Sequence, residues 1–384
     1  MKEQHLAHQL AQQLTTAGKL SGPWRAAYEA VPRRHFIPDV AWVKPDGPAP
    51  GYSIDRDQDE LSWLRAVYSD ASIVTQLDGG TGDLRTGKGT PTSSCSAPGI
   101  VFTILKILDA RDADRVLDVG TGTGWTASLL SHRVGSQNVV SVEVDTEVAA
   151  QAADNINAAG YAPRLVVDDG GDGHPEAAPY DRIHATCAVE RVPYAWVRDT
   201  RPGGVIVAPW TPAYGHGLLA RLVVTSEDQA IGRFPTTASF MLLRSQQQSA
   251  VWSPHHNDKA HESTTRLDPR SVAVAPAGAD LFITAMAPGI TAFPTPDADG
   301  GFSLLLVEAD NPGGAWAAAD YVPGASAYTV TWFGDRNLWD EIAAAYLTWV
   351  AAGQPERDRF GMTVSPHGQH LWLDQPQHVL GPPG

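Results

Sequence analysis

Cysteine is nearly absent from this chain of 384 residues: Cys95 and Cys187 are the only two. Two are too few for a disulfide framework or a four-cysteine zinc site. Positive charge is short as well, with 28 Lys and Arg against 43 Asp and Glu and a formal net charge of -15. That balance repels phosphate backbones and anionic membranes, so nucleic acid and membrane surfaces are not expected partners. No apolar run approaches the roughly 20 residues that cross a bilayer, and Met1-Lys2-Glu3-Gln4-His5 lacks the basic-then-apolar start of a signal peptide. A cytoplasmic protein is expected. There is no internal repeat. What is present is globular composition, 43% hydrophobic and 18% charged, in a chain long enough for two domains at about 100–200 residues each.

Leu6, Leu10, Leu14, Trp24, Ala27, Tyr28 and Val31 recur at three- and four-residue steps, which predicts an amphipathic helix over 4–31 broken near Gly18 and Gly22. Residues 44–60 and 78–91 are rich in Pro, Gly and Asp and read as loops. From Ile100 helices and short apolar runs alternate: strands are expected at 115–119, 139–144, 164–167, 181–185 and 204–208, with helices at 101–108, 126–133 and 147–159. This is the pattern of βαβ units and a mostly parallel sheet. Segments 218–225 and 239–243, with Gly232 between, read as a closing antiparallel hairpin. The expected organisation is a first domain over 1–247 (helical to 98, then a Rossmann-like core), a polar linker over 248–265, and a smaller α+β domain over 266–384. In that last part 338–352 forms a helix and 360–364 and 371–373 form strands.

The chemistry concentrates in Val116-Leu117-Asp118-Val119-Gly120-Thr121-Gly122-Thr123-Gly124, an apolar strand ending in a glycine turn before a helix. Backbone N–H groups at such a turn face a ligand, and missing side chains let it approach. The spacing departs from the dinucleotide pattern, since the third glycine arrives one residue early and Trp125 follows. A carboxylate at Asp118 disfavours a pyrophosphate and suits the amino group of a zwitterion, which selects S-adenosylmethionine. Glu143, at the end of the next strand and followed by Val144, is placed to accept ribose hydroxyls, and Asp169 with Gly170, after the third strand, to accept from the adenine amino group.

These residues resemble the protein-L-isoaspartate O-methyltransferase family. The likeness is carried by Val116 to Trp125, Ser141-Val142-Glu143, Val166 to Gly173, Ala178 to His184 and Arg201-Pro202-Gly203-Gly204. Upstream it is carried by Arg34-His35-Phe36-Ile37-Pro38, Tyr68-Ser69-Asp70 and Cys95-Ser96-Ala97-Pro98. It spans about residues 20–245. The resemblance implies a class I methyltransferase fold, S-adenosylmethionine as cofactor, Ser96 as the residue contacting the substrate carboxyl, and Cys95, Ala97 and Pro98 beside it. The cofactor side would be Asp118, Gly120, Thr121, Gly122, Gly124, Glu143, Val144, Asp169 and Gly170.

This chain departs from the family in its long loop between Pro38 and Tyr68, its insertion over 78–91, and its long continuation past the closing hairpin. Such extended versions are similar to methyltransferases that act with ATP-grasp enzymes on crosslinked ribosomal peptides (graspetides), esterifying one aspartate that then closes to an aspartimide, and residues 266–384 are then expected to be a substrate-recognition domain. The alternatives are isoaspartate repair of damaged proteins and, from another class, a silent scaffold that keeps the fold without turnover. His255, His256, His261 and Glu262 lie in a polar stretch and read as solvated side chains, so no metal is expected. The Trp339, Tyr346, Trp349 stripe reads as core.

Overall fold

Gly18, at φ +69, ends the first helix and separates α1 (Lys2–Thr16) from α2 (Gly22–Ala30), whose apolar stripes bury Leu10, Leu14, Trp24 and Tyr28. The computed structural model describes residues 2–226, 228–247, 259–309, 311 and 313–382. After a short 3-10 turn, Arg33–Phe36, come β1 (Val40–Lys44), β2 (Tyr52–Asp55), α3 (Glu60–Val67), β3 (Ser72–Leu77) and β4 (Pro91–Cys95). The four strands form an antiparallel sheet in the order β2-β1-β3-β4. β2 lies inside the stretch 44–60 read as a loop, and β1, β3 and β4 reach the ends of the two loop stretches. Their strands are short and flanked by Pro and Gly, which hides the alternation that marks a strand.

The central layer follows the expected alternation: α4 (Pro98–Leu108), β5 (Val116–Val119), α5 (Trp125–Val134), β6 (Val139–Glu143), α6 (Thr146–Ala158), β7 (Arg164–Val167), β8 (Tyr180–Ala185), α7 (Tyr194–Asp199) and β9 (Thr200–Trp210). β5 and β6 are buried at every position, as strands covered by helices on both faces must be. Then come β10 (Leu218–Ser226) and β11 (Gln229–Thr237). The expected hairpin exists, but its second strand lies earlier than 239–243. Gly232 sits inside β11, where a Cβ would run into the carbonyl of Arg221 on the neighbouring strand. It is a close-approach glycine, not a turn.

The C-terminal region contributes β12 (His261–Thr265), α8 (Pro269–Ala273), α9 (Ala277–Met286), β13 (Ile290–Pro296), β14 (Phe302–Glu308), β15 (Trp316–Tyr321), β16 (Tyr328–Phe333), α10 (Leu338–Ala351), β17 (Phe360–Ser365) and β18 (Gly368–Leu373). β12 to β16 make a five-stranded antiparallel sheet whose Leu304, Leu306, Ala317 and Val330 pack with Leu338, Trp339 and Ile342 of α10. The last hairpin does not join it. β17 pairs with β11 and extends the central sheet to nine strands, β18-β17-β11-β10-β9-β8-β5-β6-β7, among the described residues.

That corrects the expectation of a mostly parallel sheet. The pairs from β9 to β7 are parallel, and those from β18 to β9 are antiparallel. Parallel neighbours need a crossover helix, whereas past β9 the chain turns back through short connections or adds a strand from the distant C-terminus. Among the described residues no helix is long and apolar enough to cross a membrane.

Candidate active site

A cleft of about 890 Å³, counting its open mouth, lies at the C-terminal ends of β5, β6 and β8, the edge where open α/β sheets bind ligands. One wall is the turn Gly120-Thr121-Gly122-Thr123 with Glu143 and Val144, and the opposite wall is the run Pro91 to Ser96. Trp125, Thr186, Cys187 and the segment Met241 to Arg244 complete it.

The three glycines of the turn are required for different reasons. All have positive φ: +88 at Gly120, +55 at Gly122 and +89 at Gly124. A Cβ on Gly120 would meet Thr186 Oγ1 at 2.8 Å, and one on Gly124 would meet Ile156 Cγ1 at 2.6 Å, so these two serve the packing of the fold. A Cβ on Gly122 would meet nothing nearer than 3.6 Å. The bare face of Gly122, open on the cleft, is a cradle that a side chain would fill. Beside it the Glu143 carboxylate, nearly buried, accepts from the Gly122 N–H at 2.9 Å and the Asp145 N–H at 3.1 Å. Each of its oxygens keeps a free lone pair. A compact bare turn next to a fixed carboxylate at a sheet edge fits the ribose and amino-acid portions of S-adenosylmethionine.

Asp118 is a correction. It is fully buried and absent from the cleft wall, with one oxygen 2.8 Å from His184 Nδ1 and the other accepting from Ser141 Oγ at 2.8 Å. Ser141 Oγ in turn lies 2.7 Å from Thr121 Oγ1. The carboxylate therefore ties β5, β6 and β8 together and steadies the turn from beneath through Thr121. Asp169 also lies outside this cleft. It bonds the Gly171 N–H at 2.8 Å and borders a neighbouring recess with Leu243, Arg191 and Pro366, whereas Gly170 lines the main cleft.

On the opposite wall Ser96 is part-exposed, and its hydroxyl has no hydrogen-bond partner among the described residues. Cys95 is buried with its Sγ 3.5 Å from Arg33 Nε. Ala97 and Pro98 start α4 behind the wall and do not line it. Asp70, of the Tyr68-Ser69-Asp70 motif, accepts from the Gly99 N–H at 2.6 Å at the start of that helix and pairs with Lys19. It anchors α4, and through it the Ser96 turn. Burial, with Glu143 and Asp118 nearby, pushes the Cys187 thiol up to about 12.

Several wall residues escape sequence reasoning. Arg244 is the one basic side chain in the wall among the described residues, bonded to Asp145 at 2.7 Å, while Gln76 of β3 reaches the same carboxylate at 3.3 Å. The segment 239–243 reads as a strand because it is apolar. It instead crosses the sheet ends, bonding Ala188 through Met241 and Leu243. His255 and His256 lie outside the described residues, and His261 stacks on Trp332 across β12 and β16.

An open cleft with a bare glycine turn and a fixed carboxylate, at the edge of this sheet, defines a class I S-adenosylmethionine-dependent methyltransferase. The family model for protein-L-isoaspartate(D-aspartate) O-methyltransferase matches residues 54–248, just over half of the chain. The protein-L-isoaspartate O-methyltransferase of Ignicoccus hospitalis is 35% identical over 150 residues, covering 38% of this chain and 71% of the relative. A second such enzyme, from Archaeoglobus fulgidus, is 31% identical over 213 residues, 54% of this chain and 78% of the relative. A solved protein-L-isoaspartate O-methyltransferase structure superposes with a TM-score of 0.54 at 20% identity, covering 96% of this chain and all of that one. The chain belongs to the protein-L-isoaspartate O-methyltransferase family and is an S-adenosylmethionine-dependent O-methyltransferase.

Proposed function

We propose that this enzyme methylates the side-chain carboxylate of one aspartate in a crosslinked ribosomal peptide, and that the ester then closes to an aspartimide. The observation that carries carboxyl transfer is the Ser96 hydroxyl, unpartnered among the described residues, facing the same cleft as Gly122 and Glu143. An aspartate is ionised at neutral pH, with a reference pKa of about 3.9, so no residue has to remove a proton from it. The enzyme's task is orientation and exclusion of water. When bound, the cofactor supplies an electrophilic methyl on a sulfonium. Ser96 aligns the carboxylate by a neutral hydrogen bond, which orients an oxygen without neutralising it. Trp125 and Leu243 provide apolar wall that sheds water. Esterification makes the carbonyl a better acyl donor, and the next backbone nitrogen of the peptide attacks it, expelling methanol.

The specialised substrate is supported by the insertion over 78–91. Its base is cinched by Asp78 N–H to Thr90 carbonyl at 2.8 Å and Thr90 N–H to Asp78 Oδ1 at 2.7 Å, and it runs straight into cleft-wall residues Pro91 and Thr92. A pre-rigidified peptide suits a selective enzyme because its ordering cost is already met. Isoaspartate repair is the second reading. A solved structure of that name matches the fold along 96% of this chain, so the C-terminal region does not by itself mark a different substrate. Parallel reactions with crosslinked precursor, linear precursor and a generic isoaspartyl peptide, followed by mass spectrometry, separate the readings. The crosslinked peptide is expected to gain a methyl and then lose methanol, for a net loss of one water. Efficient turnover of the isoaspartyl peptide alone would assign the enzyme to repair.

A further inference from the structure

Arg33 opens the 3-10 turn behind the substrate wall, and its side chain is 1% exposed. Its guanidinium donates only to main-chain carbonyls and a thiol. Nη1 reaches Val67 at 2.9 Å and Ser69 at 3.2 Å, Nη2 reaches Ala71 at 2.9 Å, Cys95 at 3.1 Å and Ser96 at 2.9 Å, and Nε lies 3.5 Å from Cys95 Sγ. The Trp125 ring stacks 5.3 Å from its central carbon. Among the described residues no carboxylate pairs with it. A guanidinium keeps its proton in proteins, and a buried charge without a counter-ion is costly. Carbonyl dipoles offset part of that cost, and the rest is available to an anion brought into the cleft.

We infer that Arg33 is a positioning residue that attracts the substrate carboxylate without touching it, by polarising the two peptide groups that face it. This rests on the reading that the carboxylate sits at Ser96. The carbonyl of Cys95 belongs to the same peptide unit as the N–H of Ser96, which lines the cleft, and the carbonyl of Ser96 to that of the Ala97 N–H, set just behind the wall. Neither of those N–H groups donates to any described group. Positive charge on the oxygen side of a peptide strengthens the donor on its nitrogen side. The committed N–H groups of Arg33 cannot reach the substrate, so the nucleophile is drawn in but not clamped. A direct arginine pair would hold it harder and blunt it.

The test uses the full chain with S-adenosylhomocysteine bound, so that nothing reacts. The crosslinked aspartyl peptide and an isoaspartyl peptide are each titrated beside the amide counterpart that replaces the carboxylate. Wild type is expected to prefer the carboxylate form of its substrate about tenfold or more, and Arg33→Met to lose that preference while affinities for the amide form and for S-adenosylhomocysteine stay within about twofold. Arg33→Lys, which keeps the charge and loses the planar fork, is expected to retain much of the preference. If Arg33→Met does not fold, Arg33→Lys decides: loss of preference with intact S-adenosylhomocysteine binding overturns the inference. Preference undiminished in folded Arg33→Met also overturns it. No preference in wild type, for either peptide, sinks the carboxylate reading itself.

Discussion

Ser96 and Cys187 face the same cleft from opposite sides, and their chemistry differs because their surroundings do. On the proposed reading, Ser96→Ala removes an orienting bond to a charged partner, worth about 1.5–3 kcal/mol. kcat/KM is expected to fall by that factor with S-adenosylmethionine affinity unchanged, measured by single-turnover kinetics beside calorimetry. Wild-type rates would show that Ser96 does not touch the carboxylate. Cys187 is held as a thiol because its pKa is pushed up to about 12 by burial, with Glu143 and Asp118 adding to it. Below that value almost no thiolate forms. Iodoacetamide should therefore modify Cys187 slowly at every pH between about 7 and 9, with a rate that keeps climbing about tenfold per pH unit, while unfolded chain reacts far faster and levels off above the ordinary thiol range near 8.5. Fast modification of folded protein at pH 8 contradicts this account. At this scale Glu143 was legible as an acid at the end of an apolar strand and Ser96 only through the family motif, and both line the cleft. Asp118 was legible as important but not in role, since its partners His184 and Ser141 come from separate strands. Arg33 was not, because nothing in Arg33-Arg34 says which side chain turns inward.

The glycine turn shows how one element divides its residues between folding and binding. Gly124→Ala forces a left-handed residue, which alone costs about 1–3 kcal/mol, and drives a methyl into Ile156 of α6. A clear drop in melting temperature is expected. Gly122→Val carries backbone strain but meets open cleft, so its larger effect is on the cofactor, with binding weakened at least about tenfold or 1.4 kcal/mol. Thermal melts and calorimetric titration of both variants separate the two roles, and equal effects on both readouts would contradict the division. The elements β5, α5, β6 and α6 were legible because their apolar runs are bounded by glycines and Asp145, which caps α6 by bonding Glu147 and Val148 N–H. β11 was misplaced because Gly232 resembles a turn glycine in sequence. Only the approach of Arg221 on the facing strand reveals its function.

The catalytic sheet is completed by a hairpin that lies over a hundred residues beyond its neighbour β11. Phe360, Met362 and Val364 of β17 are buried in the same core as Val224, Ala230 and Phe234. The Gln369 side chain of β18 accepts from the Val192 N–H at 2.9 Å and donates to the Glu190 carbonyl at 2.8 Å. Residues 266–384 are therefore not a detachable recognition module. Truncation after residue 247 uncovers the β11 edge and its apolar face, so the fragment is expected to aggregate or melt far below the full chain. A soluble, active fragment would show that the hairpin is dispensable. Sequence reading places a boundary at the polar stretch near 248–265. It cannot foresee that the chain returns, because pairing over such a separation leaves no local pattern.

The central claim is methyl transfer from S-adenosylmethionine to a peptide carboxylate held at Ser96. Its most direct measurement follows a labelled methyl group from cofactor to peptide and then tests the product with mild base. Label that appears on the aspartyl or isoaspartyl peptide, leaves as methanol in base, and is strongly reduced in Ser96→Ala is the predicted result. Label that resists base, or none on any carboxylate peptide from an enzyme that binds the cofactor, would contradict the account.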